Sequence, residues 1–254
     1  MALARVNRHQ QTSGNAFGAG AFTTTSFTPS DNTLLVCRIS AVSQADDGLT
    51  ANDLTITGGG LTWTSRVSQT GPTGWAYAER VWTAPVSTGA SMTIGADAGA
   101  FAIENYRVEV YEYSDYNTGS PVGGIAVGTD ADGNDAASIT LSATPATTSE
   151  VLAFSTVVLN GAAGTFTTEG SGWTELFDTS RDGWWCFESQ VRGSSTSTDV
   201  SWADLNTLDT LATGAAMVAL EIKEADGGPD PNASMGRLSN QRIRPRAFAP
   251  GVQR

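Results

Sequence analysis

The sequence predicts an all-β protein: two tandem antiparallel β-sandwiches, jelly-roll-like in type, followed by an extended basic C-terminal arm. Three observations predict it. Short runs rich in Val, Ile, Thr and aromatics are separated by turn clusters such as "QADDG", "TGGG", "QTGPTG", "DADGND" and "LNGAAG". A set of words recurs in the same order about 110 residues further on. The charge is also partitioned, with basic ends and an acidic interior.

Residues 1–19 are a basic N-terminal segment. Arg5 and Arg8 stand in "MALARVNRHQ" without an acid, and no apolar stretch of signal-peptide length follows, so export by the general secretory route is not expected. Residues 20–118 are the first sandwich. Its clearest strand is "RVEVYEY" at 107–113, where Val108, Val110 and Glu112 alternate with Glu109, Tyr111 and Tyr113. Residues 119–225 are the second sandwich, entered through the Gly, Ser and Pro of "NTGSPVGG" at 117–124. The best helical spacing, "SWADLNTLDTLATG" at 201–214, supports a turn or two at most. Residues 226–254 begin with the linker "DGGPDPNAS" and end in the arm.

The repeat carries the two-domain reading. "LTWTSRV" at 61–67 is echoed by "SGWTELF" at 171–177, and "GWAYAERVW" at 74–82 by "GWWCFESQVR" at 183–192. "RVEVYEYSD" at 107–115 is echoed by "MVALEIKEA" at 217–225, and "FTPSDNTLLVCRIS" at 27–40 by "ATPATTSEVLAFST" at 143–156. Two cysteines, Cys37 and Cys186, sit in apolar runs and read as buried thiols.

The inventory for chemistry is thin. The single histidine, His9, lies in the basic segment, so neither a serine or cysteine nucleophile with a histidine base nor a multi-histidine zinc site is expected. No catalytic residue, metal or cofactor is assigned. "TGGG" at 57–60 lacks the Lys-Ser/Thr of a phosphate loop and reads as a glycine turn. "DADGND" at 130–135 departs from the calcium-loop pattern and reads as an acidic loop. Glu79 and Glu188 hold matching positions in the two copies and read as solvated faces, one in each domain. Trp63 with Trp173 and Trp75 with Trp184 recur with the fold and read as structural. Trp202 reads as core, and Trp185 as inward-pointing with Phe187 and Val191. Trp82 stands opposite Arg192 in the repeat. It is therefore expected to face solvent, as a contact for a glycan or a neighbouring subunit.

The two ends carry +7 within an overall −12, which leaves −19 between them. Such a body repels nucleic acid, while the ends are drawn to acidic surfaces. Of the fourteen basic residues only Lys223 is a lysine, a bias suited to bidentate carboxylate contacts. In the arm, Arg237, Arg242, Arg244, Arg246 and Arg254 alternate with apolar plugs such as Ile243 and Phe248, as an extended docking strand would. With Arg5 and Arg8 these are the expected partner-binding residues.

"FTPSDNTLLVCRIS", "LTWTSRV", "RVEVYEYSDY" and "SGWTELF", with "RIRPRAFAPG" at the end, resemble minor structural proteins of tailed bacteriophages; the likeness spans residues 20–225. The resemblance implies a non-enzymatic virion protein, a capsid decoration or accessory protein anchored to other virion subunits. The implied partners are major capsid or tail subunits, with further copies of the chain and host surface glycans left open and neither nucleic acid nor membrane expected. The alternative is a tail-associated protein or surface adhesin whose sandwiches bind carbohydrate.

Overall fold

The computed structural model describes residues 2–12, 21–43, 48–72, 76–131, 136–159, 168–181, 185–205 and 212–226. They form sixteen strands, all paired antiparallel, with no helix among the described residues. The first eight are β1 (Ala4–Thr12), β2 (Ala21–Thr23), β3 (Thr33–Ser43), β4 (Thr55–Gly58), β5 (Thr64–Thr70), β6 (Tyr77–Val86), β7 (Ile94–Asp97) and β8 (Ile103–Ser114). The second eight are β9 (Val122–Asp130), β10 (Ala137–Thr140), β11 (Glu150–Leu159), β12 (Thr168–Glu169), β13 (Thr174–Arg181), β14 (Trp185–Gly193), β15 (Asp199–Asp204) and β16 (Ala212–Ile222).

Each half is a sandwich of a five-stranded and a three-stranded sheet. The orders are β1-β8-β3-β6-β5 facing β2-β7-β4, and β9-β16-β11-β14-β13 facing β10-β15-β12. Adding eight to every strand of the first half gives the second. The irregularities recur as well. β5 carries its extra residue between Ser65 and Val67, and β13 between Glu175 and Phe177. The shift between Val42 and Ser43 against β8 matches that between Val158 and Leu159 against β16. Bulges re-aim side chains at fixed points of a fold, so their recurrence fixes which residues are equivalent.

Period-two alternation explains the layers. In β3, Leu35, Cys37, Ile39 and Ala41 join the core of the first sandwich, while Leu34, Val36 and Val42 point out of it. The outward set does not meet water. Leu34, Val36, Val81, Tyr111 and Tyr113 pack against Leu152, Phe154, Val218 and Leu220 of the second half. A second cluster joins Val42 and Tyr77 to Val158, Trp185 and Phe187. The two five-stranded sheets therefore lie face to face, giving four layers with three buried seams.

The connection at 115–121 is tied down by Asn117, whose side chain accepts from the Gly119 and Ser120 amides and donates to Asp226. Residues expected in a separate basic segment are instead β1, the edge strand beside β8. The stretch expected to hold a helical turn is strand at 199–204 and 212–222, with 206–211 outside the described residues. Cys37 and Cys186 are free and buried.

Candidate functional site

Arg5 and Arg8 turn toward the second sandwich. Arg5 pairs with Glu150 at 3.5 Å and lies over the Tyr111 ring. Arg8 donates to the Leu176 carbonyl and sits 5.8 Å from the Phe177 ring centroid. Both arginines sit on β1, which runs along the seam between the halves, so the partners they find belong to their own chain. Arg237, Arg242, Ile243, Arg244, Arg246, Phe248 and Arg254 lie outside the described residues, as do Trp75, Trp184 and most of the "DADGND" loop.

Expectation and structure part company at the two glutamates. Neither is solvated: both are fully buried. They also face opposite ways. Ser40 pairs with Glu79, and its equivalent Thr156 pairs with Phe187, so the match for Glu79 is Phe187 and not Glu188. A one-residue slip moves a strand side chain to the other face. Glu79 therefore lies in the seam between the halves, and Glu188 inside the second sandwich.

In that seam sits a buried ionic cluster. Arg38, fully buried, donates from Nε to Glu79 at 3.0 Å and from Nη1 to Glu109 at 3.1 Å. It crosses to the second half through the Ser155 carbonyl at 2.7 Å, the Thr156 hydroxyl at 2.9 Å and the Glu188 carbonyl at 3.2 Å. Phe154 and Phe187 lie against its guanidinium at 5.2 and 5.8 Å. Arg107 donates to Glu109 at 2.9 Å and stacks on Phe177 of β13. Tyr111 bridges Glu109 and Ser189. Burial pushes the Glu109 carboxyl up, but Arg107 and Arg38 together hold it down to about 2. Glu79 has one cation and an oxygen without a hydrogen-bond partner, and burial keeps its pKa above the ordinary value. The cluster's hydrogen bonds run to protein groups of both halves, which makes it a joint between them.

Glu188 is raised to about 9 by burial first, then by Asp178, Glu175 and Glu169. It is thus a neutral acid at pH 7, accepting from the Ser155 hydroxyl at 3.4 Å. Among the described residues no group of three or more His, Cys, Asp or Glu is arranged to hold a metal ion.

Trp82 does not face solvent. It is 5% exposed in the first sandwich's core, because it lies opposite Cys37 on the inward face. The recurring bulges make its equivalent Gln190, not Arg192. Trp173 and Trp202 are core residues, and Trp63 packs partly buried against the first core. Trp185 and Phe187 share a face with Val191, as expected, but that face is the seam and not a sandwich interior.

One edge of Trp82 reaches a groove of about 470 Å³ in the first sandwich, bounded by the edge strand β4, the turn after it and β6. Leu54, Ile56, Leu61, Trp63 and Arg80 line it with Trp82. The glycine turn seen in the sequence forms part of its rim, through Gly58 and Gly60.

The fold and these sites define an all-β protein of two sandwiches joined through an apolar seam that holds a buried ionic cluster. Comparison of the chain with protein families, with curated proteins and with solved structures finds no match.

Proposed function

We propose that the chain is a non-enzymatic structural protein of a virus particle, a capsid decoration or accessory protein held on neighbouring subunits by its C-terminal segment. The observation that carries this is the charge partition: the last eighteen residues hold five arginines and no acid in a chain of net −12. Arg5 and Arg8 are engaged within the chain, which leaves 237–254 as the anchoring element. The body suits a passive role, since its two sandwiches share hydrophobic clusters and a charged joint and would move as one block. We read the order β1-β8-β3-β6 facing β2-β7-β4 as a jelly roll whose fifth strand has joined the larger sheet. Jelly rolls recur in viral capsids, a fold-level analogy only.

The test is localisation. Antibody labelling of particles from a lysate of cells expressing the full chain should decorate them. The chain lacking 227–254, or carrying Arg242→Glu, Arg244→Glu and Arg246→Glu, should stay in the soluble fraction with the body folded. Full-length chain absent from particles, or truncated chain bound as well as the intact one, would defeat the proposal.

A further inference from the structure

We propose that the groove beside β4 binds a sugar residue bearing a carboxylate, with Arg80 as the anion contact and Trp63 as the ring contact. This site is independent of the C-terminal anchor. Arg80 is the key. Its Nε donates to the Ser65 hydroxyl at 2.9 Å, and its Nη1 to the Leu54 and Ala51 carbonyls at 3.2 and 3.4 Å. The guanidinium is thereby fixed, and Nη2 has no protein acceptor among the described residues. In a chain with 26 acids against 14 basic residues, Arg80 forms no ion pair with any described carboxylate. The two arginines buried in the seam, Arg38 and Arg107, both have one. A pinned and uncompensated cation at a groove wall matches a ligand carboxylate, to which the remaining Nη2 hydrogens can donate.

The surroundings point to a sugar. Arg80 lies 5.2 Å from the Trp82 ring centroid, so charge and aromatic surface are adjacent. Trp63 is held by its Nε1 donating to the Gly58 carbonyl at 3.3 Å. Aromatic faces with a polar handle suit the C–H face and the substituents of a pyranose. Gly58, Gly59 and Gly60 all have positive φ, at 129°, 65° and 63°. The rim they form carries no side chains, so backbone can approach a ligand closely. The volume falls within the range of small-molecule sites.

The repeat offers an internal control. The second sandwich places Glu188 where the first has Arg80, since Ile39 pairs with Arg80 and its equivalent Ser155 pairs with Glu188. Trp173, the counterpart of Trp63, is covered by Arg192 at 4.5 Å, which is itself bonded to the Asp199 and Ser197 carbonyls. The two copies keep the fold and differ here, where the first gains a cation beside an open aromatic edge.

The experiment titrates digalacturonic acid into the full-length chain and follows the indole Nε1–H signals by NMR, with neutral galactobiose, acetate and a short C-terminal peptide in parallel. Digalacturonic acid should shift the Trp63 signal and bind at least tenfold more tightly than galactobiose or acetate. Arg80→Gln should weaken it about tenfold or more, and Arg80→Lys should lose part of the affinity while keeping the backbone contacts of Arg80 in place. Equal binding of galactobiose removes the carboxylate from the proposal. Equal binding of acetate or the peptide removes the sugar. No shift at about 10 mM ligand, a range that covers weak single-sugar sites, or wild-type affinity in a folded Arg80→Gln, overturns the site altogether.

Discussion

Replacing Arg38 by Met is the sharpest test of the joint between the halves. Removing the guanidinium leaves Glu109 with Arg107 and Tyr111, but it leaves Glu79 fully buried with no cation. It also strips donors from the Ser155 and Glu188 carbonyls and the Thr156 hydroxyl. A bare carboxylate in the interior costs several kcal/mol, so the cheaper escape is to take up a proton. From the ordinary value of 4.5, that uptake costs about 3 kcal/mol at pH 7 and about 1 kcal/mol at pH 5, of which the wild type, its Glu79 already raised by burial, bears a part. With the lost donors, Arg38→Met should destabilise the chain by about 3–5 kcal/mol at pH 7. The penalty should shrink at pH 5, by at most about 2 kcal/mol.

The sign distinguishes this from simple loss of packing, which has no reason to depend on pH. Glu109, held at about 2, gives stability that is present above the unfolded value and is lost progressively as pH falls from there through about 2. It stays silent between pH 5 and 7. Glu79, raised by burial, costs stability as pH climbs above its unfolded value, and more so without Arg38. Urea unfolding at pH 5 and pH 7 measures both points, and Arg38→Met with Glu79→Gln should recover about 2 kcal/mol at pH 7. A loss under about 1 kcal/mol, or an equal loss at the two pH values, would refute the electrostatic account of the seam.

Glu188→Gln should stabilise the chain by about 2–3 kcal/mol at pH 7. Between the ordinary 4.5 and about 9 the unfolded chain releases this proton while the folded chain keeps it, so wild-type stability falls as pH rises. Thermal melts from pH 5 to 8 should show a flatter profile for the variant, and an unchanged slope would contradict the burial of a neutral acid. Gly58→Ala should lower stability by about 2 kcal/mol or more, since φ is +129° and the added methyl would collide with the Thr93 carbonyl. A melting temperature within a degree or two of wild type would mean that the turn at the groove rim relaxes freely.

Fold class was legible because turn clusters and short β-branched runs are local signals. The duplication was legible because "LTWTSRV" and "SGWTELF" keep their spacing through a shared bulge. So was the register of "FTPSDNTLLVCRIS" against "ATPATTSEVLAFST", whose spacing is the one that makes Ser40 equivalent to Thr156. The register of the other two pairs was not: setting Glu79 on Glu188 and Val108 on Val218 matches letters, yet pairing in the sheets shifts each by one residue, so Glu79 matches Phe187 and Glu109 matches Val218. Identity of letters outweighed identity of face. The slip sent Glu79 and Trp82 to water in the reading and left Arg38 unremarked.

A signal that would have corrected this was present in the central strands. A strand with one face in water alternates, whereas one buried on both faces reads as a near-continuous apolar run. "TLLVC" in β3 and "VLAF" and "VVL" in β11 are of the second kind, so the outward face of each five-stranded sheet had to be covered. Once Leu34, Val36, Leu152 and Phe154 demand a cover, the charged residues among them cannot be solvated, and Arg38 in the middle of such a run must carry its own counterions. Glu79 and Glu109 from the flanking strands of the same sheet are the acids within reach of that position. The ionic joint thus follows from two facts about sheets: alternation fixes who shares a face, and apolarity on both faces fixes that neither face is free.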